Sequence, residues 1–333
     1  MSNNISTYAP VLIPTLCRSE CFISCLTSLS QCIGAEYTEV YVALDYPLKD
    51  DHWEGYNKIL YYLENSIFSF KKLHIIKREY NHGLANPNSN ASVAYRELLK
   101  KYDRIIFSED DNVFSPNFLV YVNKGLDKFE DDFSVDSICG YLNYNGIKTE
   151  RNTFYRCPNA YCAWGVATWK NRILYRNKMN TAYFRKSLSI NNLIKMGRMG
   201  RSRFLAYLAA MAPAKFFWKN DVNIGTYMLL ENRCQILPTK SLVRNIGASS
   251  GLNFSNCSQE ISDLYLKQEI SSEETFDFIG TGNECQEENV KDWVRNEKEF
   301  HQKYHWITWG VVVTQTVKRI VKIIMGDLGW KPK

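Results

Sequence analysis

The chain has 333 residues, of which 45% are apolar and 14% aromatic, and a formal net charge of +6. This composition excludes a disordered or fibrous chain and allows a large core in one or two domains. Its ten cysteines form neither a CxxC pair nor a compact secreted pattern, and no basic region followed by an apolar run opens the sequence. We therefore expect free thiols and a location in the reducing cytoplasm.

The positive charge is concentrated in one block. Residues 151–220 contain fourteen Lys or Arg and no Asp or Glu, whereas the rest of the chain has a net charge of −8. Such a block favours an anionic partner, either nucleic acid, phospholipid headgroups or a diphosphate-bearing substrate. Because no RNA- or DNA-binding motif accompanies it, we expect no nucleic-acid partner. A solvated basic face is the alternative.

Apolar, β-branched runs recur about every thirty residues in the first half of the chain and alternate with helix-compatible segments. The runs begin near Ala9, Thr38, Leu73, Asp103 and Val135. The helical segments are about residues 18–32, 52–68, 90–101 and 116–129. This spacing is that of right-handed βα units, so the sequence predicts an α/β fold with a mostly parallel, doubly wound, Rossmann-like sheet.

The fourth run ends in three consecutive acids, Glu109, Asp110 and Asp111. Crowding three like charges is costly unless a cation lies among them. Mg²⁺ or Mn²⁺ with oxygen ligands is the simplest such partner, and these ions commonly also hold phosphates. The acids lie at the carboxyl end of a strand, where open α/β sheets bind ligands. That position favours a metal–diphosphate site over the alternative of a solvated acidic loop.

Polar residues also follow the other predicted strands. Thr15 and Arg18 follow the first strand, Asp45 the second, and Asn81 and Gly83 the third. Arginine and helix N-termini suit phosphates, whereas a short carboxylate suits ribose hydroxyls or a base imide. We expect these residues to converge on one edge of the sheet.

Three cysteines, Cys17, Cys21 and Cys25, are spaced four residues apart. On one helical face they could form a thiolate metal site. We favour the alternative, in which they are small buried hydrophobes.

A set of motifs resembles a known family. The set comprises Pro14-Thr15 with Arg18, Asp45, residues 78–84, and Glu109-Asp110-Asp111 followed by Ser115-Pro116-Asn117-Phe118. Over residues 9–255 the chain resembles a GT-A glycosyltransferase, of the family-2-like bacterial sugar transferase or N-acetylglucosaminyltransferase I type. The resemblance implies an α/β/α sandwich that binds a nucleotide sugar, with a UDP-sugar as the expected donor.

The resemblance also implies roles for individual residues. Asp111 corresponds to the Mn²⁺ ligand, and Glu109 and Asp110 to residues that contact the nucleotide or the sugar. Arg18 and Asp45 correspond to nucleotide contacts.

The second half of the chain adds three similar segments. Cys162-Ala163-Trp164-Gly165 resembles the segment beneath the donor sugar, where Trp164 would pack against a pyranose face; a core aromatic is the alternative. Residues 217–221 resemble the stretch that supplies the catalytic base, here Asp221, for which a helix cap or ion pair is the alternative. Residues 244–247 and 250–253 resemble a later loop that carries a metal-binding His in many relatives, and Asn253 stands in that place.

Residues 306–325 have the pattern of an amphipathic helix. One face carries Trp306, Trp309, Val313, Val317, Ile320, Val321 and Ile324, and Lys318, Arg319 and Lys322 lie elsewhere. Three cations argue against a spanning helix and favour one that lies in a membrane interface. A helix docked on the protein's own core is the alternative.

Together these features predict three regions. Residues 1–145 form the nucleotide-sugar-binding half, residues 146–255 the acceptor-binding and catalytic half, and residues 256–333 a helical C-terminal extension. The predicted activity is metal-dependent, inverting transfer of a sugar to a hydroxyl of a glycan or a polyprenyl-diphosphate-linked acceptor. We expect it to act in bacterial surface polysaccharide synthesis at the inner face of the cell membrane. The alternatives are a sugar-nucleotide nucleotidyltransferase and a membrane-associated, non-catalytic scaffold.

Overall fold

The computed structural model describes most of the chain. The described residues are 8–83, 88–142, 151–158, 161–211, 221–247, 263, 265–283, 317–318, 320–321 and 324–325. Leu84, residues 217–220 and residues 250–253 lie outside these ranges, so the expectations for them stay predictions.

The strands are β1 (Val11–Thr15), β2 (Glu39–Leu44), β3 (Lys72–Lys77), β4 (Arg104–Phe107), β5 (Asn112–Phe114), β6 (Val135–Cys139), β7 (Phe154–Cys157), β8 (Val166–Trp169), β9 (Cys234–Pro238) and β10 (Val243–Asn245). The helices are α1 (Ser19–Ser30), α2 (His52–Asn65), α3 (Asn90–Leu98), α4 (Phe118–Lys128), α5 (Lys170–Arg176), α6 (Thr181–Lys186), α7 (Ile190–Arg198), α8 (Arg201–Ala210) and α9 (Asp221–Leu230). A short 3₁₀ helix covers Ala35–Tyr37.

An eight-stranded sheet with the order β3-β2-β1-β4-β8-β6-β9-β7 organises the fold. In its first half β1 pairs in parallel with β2 and β4, and β2 pairs in parallel with β3. Helices α1, α2 and α3 form the three successive crossovers. The predicted α/β fold, with its βα rhythm and parallel strands, is confirmed.

Burial along these strands follows their place in the sheet. Consecutive residues of β1 and β2 are buried, which is typical of parallel strands covered on both faces. The edge strand β3 instead has no fully buried residue, and its Lys72, Ile75 and Lys77 are exposed.

The second half of the sheet is mixed. Strand β8 is antiparallel to both β4 and β6, so it reverses the direction of the parallel half. A separate two-stranded ribbon pairs β5 with β10 in antiparallel register, with Asn112 opposite Asn245. The sequence did not predict this ribbon, which lies directly after the three acids.

Helix α1 explains the spacing of Cys21 and Cys25. Its buried side chains form one stripe: Cys21, Phe22, Cys25, Leu26 and Leu29. Burial raises the pKa of the Cys25 thiol well above its ordinary value, and the thiol donates to the Glu109 carbonyl. In the part of the chain that the structure describes, no group of three or more His, Cys, Asp or Glu side chains is arranged to hold a metal ion. Cys21 and Cys25 are therefore buried side chains of α1, as expected, whereas Cys17 precedes the helix and is only partly buried.

The chain divides into two compact units. The first comprises the described residues within Met1–Tyr155, Cys162–Asn171 and Ile236–Thr281. The second comprises those within Arg156–Tyr161, Arg172–Gln235 and Gly282–Lys333. These units are defined by compactness, whereas the boundaries predicted at residues 145 and 255 divide the chain by function. The functional boundaries stay a prediction.

The second unit has its own core of methionine and aromatic side chains. Its buried members include Met179, Phe184, Met196, Tyr207 and Met228, contributed by helices α6 to α9 and the segment before α6. Among the described helices none has the length and apolar character needed to cross a membrane.

Candidate functional site

Residues from the ends of β1 and β4 meet in the first unit. The Thr15 hydroxyl donates to Oδ2 of Asp110 at 2.7 Å, and Arg18, just before α1, reaches both Asp110 and Asp111. Its Nη1 lies 2.7 Å from Oδ2 of Asp111, and its Nη2 donates to Oδ1 of Asp110. Residues 95 positions apart in sequence are thus joined because their parallel strands end at the same edge.

Burial and charge oppose each other in this cluster. Burial raises the pKa of the Asp110 carboxyl, although Arg18 and the Thr15 hydroxyl favour its charged form. Burial would also lower the pKa of Arg18, but the adjacent Asp110 and Asp111 outweigh it and raise that pKa above its ordinary value. The guanidinium therefore stays charged and supplies the cation that the crowded acids require.

Asp111 is held from its other side by the β5–β10 ribbon. Asn245 Nδ2 donates to Oδ1 of Asp111 at 2.7 Å, and the Ile246 N–H donates to the Asp111 carbonyl. Gly247 follows so closely that a Cβ there would overlap Oδ2 of Asp111. Sequence reasoning compared residues 244–247 with a later loop but missed these contacts, because they depend on the β5–β10 register.

Asp45 organises a loop. Its Oδ1 accepts the N–H groups of Tyr46 and His82, and its Oδ2 accepts the N–H of Gly83. The side chain is buried. Asp45 therefore holds the backbone that follows β2 and β3. The sequence predicted a contact with the nucleotide and did not predict this structural role.

The loop after β3 has further supports. Asn81 Nδ2 donates to the Tyr46 carbonyl at 2.6 Å, and Gly83 has a φ of +70°, which a side chain would strain. The rings of Tyr80 and His82 stack with centroids 4.5 Å apart. Asn81 and Gly83 therefore shape the edge of the site through its backbone.

Trp164 belongs to an aromatic cluster beside the acids. Its Nε1 donates to Oε2 of Glu109 at 3.2 Å. Its ring makes edge contacts with Tyr141 and Tyr265, at centroid distances of 4.6 and 5.6 Å. Trp164 is only partly buried, so it can both orient Glu109 and present aromatic surface. Sequence reasoning did not identify the two tyrosines.

Asp221 lies in the second unit. It is the first residue of α9, and its side chain is exposed. This position suits a helix-capping role as well as a base, so the catalytic assignment stays a prediction. Glu231, just after the same helix, accepts hydrogen bonds from Tyr175 and Tyr183.

The acidic residues suit a divalent metal in donor chemistry. Asp111 offers hard oxygen ligands, and each carboxylate oxygen that already accepts one hydrogen bond retains a second lone pair. Within the described ranges no larger ligand cluster accompanies it. A metal here would be held by one or two carboxylates and would take its other ligands from phosphates and water, as Mg²⁺ commonly does.

Strand order and the position of these polar residues together define an α/β protein with a Rossmann-like first half and a candidate site at its strand ends. No protein-family model and no curated protein sequence matches the chain.

Among solved structures, the chain is similar to a TarS fragment from S. aureus, at 12% identity and a TM-score of 0.42, covering 96% of this chain and 80% of that one. The chain is also similar to the same fragment in complex with UDP-GlcNAc, at 13% identity and a TM-score of 0.42, covering 96% of this chain and 81% of that one. A mannosyltransferase from Pyrobaculum calidifontis, in complex with GDP-Man and Mn²⁺, is 10% identical with a TM-score of 0.39. The match covers 95% of this chain and 87% of that one. Similarity at this level does not define an activity.

Proposed function

We propose that this chain is a glycosyltransferase that moves a sugar from a nucleoside-diphosphate sugar to an acceptor hydroxyl. The observation that carries the proposal is the contact of Thr15 and Arg18 with Asp110 and Asp111 at the carboxyl ends of β1 and β4. A guanidinium and adjacent carboxylates at such an edge suit a diphosphate and its cation.

The donor site would be built from three parts. Arg18 would pair with the diphosphate, and the loop that Asp45 fixes would border the nucleoside. Trp164, with Glu109 held by its indole N–H, would lie against the sugar. An aromatic face can pack against a pyranose ring, and a carboxylate accepts hydrogen bonds from its hydroxyls.

The reaction would be inverting and metal-dependent. Asp111 would hold Mn²⁺ or Mg²⁺, and the ion would offset charge on the departing nucleoside diphosphate. Asp221 would take the proton of the attacking acceptor hydroxyl as the general base. A single-step displacement of this kind inverts the anomeric carbon.

The acceptor would be a glycan or a polyprenyl-diphosphate-linked saccharide at the cytoplasmic face of the membrane, in surface polysaccharide synthesis. The basic composition of residues 151–220 suits an anionic acceptor. Near the C terminus the described helical residues Val317, Ile320, Val321 and Ile324 are about half exposed, at 53, 43, 47 and 53%. Exposed apolar side chains beside Lys318 are suited to a membrane interface.

The two alternatives make different demands. A nucleotidyltransferase normally has a Gly-rich phosphate loop with a nearby Lys after the first strand, and residues 14–20 contain neither Gly nor Lys. A non-catalytic scaffold would need neither Asp111 nor Asp221.

A thermal-shift screen of nucleotide sugars with Mn²⁺ tests the proposal, because a ligand that binds only the native state raises its stability. We expect one nucleotide sugar to raise the Tm and its free nucleoside diphosphate to do the same. If no nucleotide sugar shifts the Tm with or without metal, the proposed function is wrong.

A further inference from the structure

Arg18 neutralises the acidic pair with a charge that the protein supplies itself. The side chain of Arg18 is 17% exposed, and those of Asp110 and Asp111 are 7 and 5% exposed. Two carboxylates and one guanidinium leave the cluster with a negative charge. The cluster therefore attracts a further cation, although Arg18 already occupies the position between the two carboxylates.

Both carboxylate oxygens of Asp111 already have hydrogen-bond partners. Oδ1 accepts the Asn245 amide at 2.7 Å. Oδ2 pairs with Arg18 at 2.7 Å and is bordered by the backbone of Gly247, where even a Cβ would overlap it. A cation that approaches Oδ2 meets the position of the Arg18 guanidinium.

We propose that Arg18 is a displaceable counter-ion: it occupies Asp111 until a divalent metal and a diphosphate bind together, and then pairs with the diphosphate. The inference rests on the proposed function, because it assigns the displaced guanidinium to the donor. The planar fork of arginine binds carboxylates and phosphates with similar bidentate geometry, so one partner can replace the other.

Charge explains why the two ligands would bind together. A metal alone would place a second cation beside the buried guanidinium, where repulsion is screened less than in water. A divalent metal and the two negative charges of a sugar-linked diphosphate add no net charge. Metal alone should therefore bind weakly, and metal and nucleotide should raise each other's affinity by the same factor.

Calorimetric titration of the full chain with Mn²⁺, with and without UDP or GDP, tests this inference. Without nucleotide, Arg18→Gln should raise the Mn²⁺ affinity about ten-fold or more, since the competing cation is gone; one decade corresponds to about 1.4 kcal/mol. With Mn²⁺ present the same variant should weaken nucleotide binding. Asp111→Asn should lower the Mn²⁺ affinity both in the wild type and in the Arg18→Gln variant.

Arg104 provides a matched control. It also bridges two acids, Asp127 and Glu130, in the first unit, so Arg104→Gln removes a similar ion pair at another place. We expect that variant to leave the Mn²⁺ affinity unchanged.

Equal Mn²⁺ affinities of the wild type and a folded Arg18→Gln variant would overturn the inference. If that variant does not fold, as judged by circular dichroism, the wild type decides: a Mn²⁺ affinity that saturating UDP and GDP both leave unchanged overturns it. Tighter Mn²⁺ binding by Arg18→Gln in a chain that binds no nucleotide would support Arg18 as the counter-ion of Asp111, but would contradict both its pairing with a diphosphate and the proposed function.

Discussion

At the scale of single residues, satisfaction of charge governs the candidate site. Arg18 offsets Asp110 and Asp111, Asn245 fixes the orientation of Asp111, and Trp164 fixes Glu109. Each acid therefore has a bonded partner within the first unit. Ligand binding at such a site exchanges partners, because leaving a buried carboxylate without one is costly.

Asp221→Asn tests the catalytic base. Removal of a general base commonly lowers turnover by about 10²- to 10⁴-fold, and the amide is nearly the same size. We expect that loss in kcat with little change in donor affinity, measured by steady-state kinetics and calorimetry. Glu231→Gln is the matched comparison, and a loss confined to that variant would transfer the role to Glu231.

At the scale of elements, two short segments complete what the parallel strands begin. The loop after β3 is tied to β2 through Asp45, and the β5–β10 ribbon delivers Asn245 and Gly247 to Asp111. Long-range hydrogen bonds fix both segments, so mutations there should act through geometry.

Asp45→Asn should loosen the loop after β3. An amide keeps one acceptor oxygen in place of two, so backbone N–H groups of His82 or Gly83 lose their partner, at about 1–3 kcal/mol for an unsatisfied buried group. Denaturant unfolding should show that loss of stability, and hydrogen exchange should quicken at both amides without any nucleotide. Asp50→Asn, at an exposed position, is the control. If the His82 and Gly83 amides of Asp45→Asn exchange at the wild-type rate, Asp45 does not hold this loop, and the predicted nucleotide contact is its remaining role.

A second polar cluster, on β2 and β3, predicts a pH effect. Burial raises the pKa of Glu39, but hydrogen bonds from His74 and Tyr102 and the charges of His74 and Lys71 outweigh it, so the folded pKa lies below its ordinary value near 4.5. Its contribution to stability is therefore present above that value and is lost as pH falls through the lower, folded pKa.

Glu39→Gln should accordingly make unfolding stability less dependent on pH below about 4.5. Denaturant titrations across that range compare it with Glu64→Gln, a change at an exposed acid. The same pH slope in both variants would show that Glu39 does not contribute.

At the scale of the whole molecule, donor binding and membrane attachment are proposed for different parts of the chain. The acidic cluster belongs to the first unit, whereas the exposed apolar residues Val317, Ile320, Val321 and Ile324 belong to the second. Loss of one function should therefore leave the other measurable.

Deletion of residues 306–333 should release the protein from anionic liposomes while nucleotide binding persists. The apolar residues gain from burial and the nearby cations from headgroup attraction, so binding should also weaken with salt. Co-sedimentation at low and high salt measures both effects. An insoluble or unfolded truncated chain would show that the segment packs on the protein's own core.

How far sequence predicts this structure depends on the range of the interactions. The βα rhythm was readable because apolar periodicity is local, and it placed Thr15, Arg18, Asp45 and Asp111 at strand ends correctly. The hydrogen-bond partners of the side chains could not be predicted from the sequence. Whether Asp45 contacts a ligand or the backbone, for example, depends on the path of residues 81–83. The contact of Asn245 with Asp111 joins residues 134 positions apart and follows from ribbon register, which short motifs do not encode.

That long separation has a consequence for synthesis. Asp111 directly follows the parallel half of the sheet, so it is synthesised well before Asn245. A nascent chain at that stage carries Asp111 without the amide that orients it. Translation products that stop before residue 245 would lack the amide that orients Asp111, so maturation of the site depends on completion of the β5–β10 ribbon.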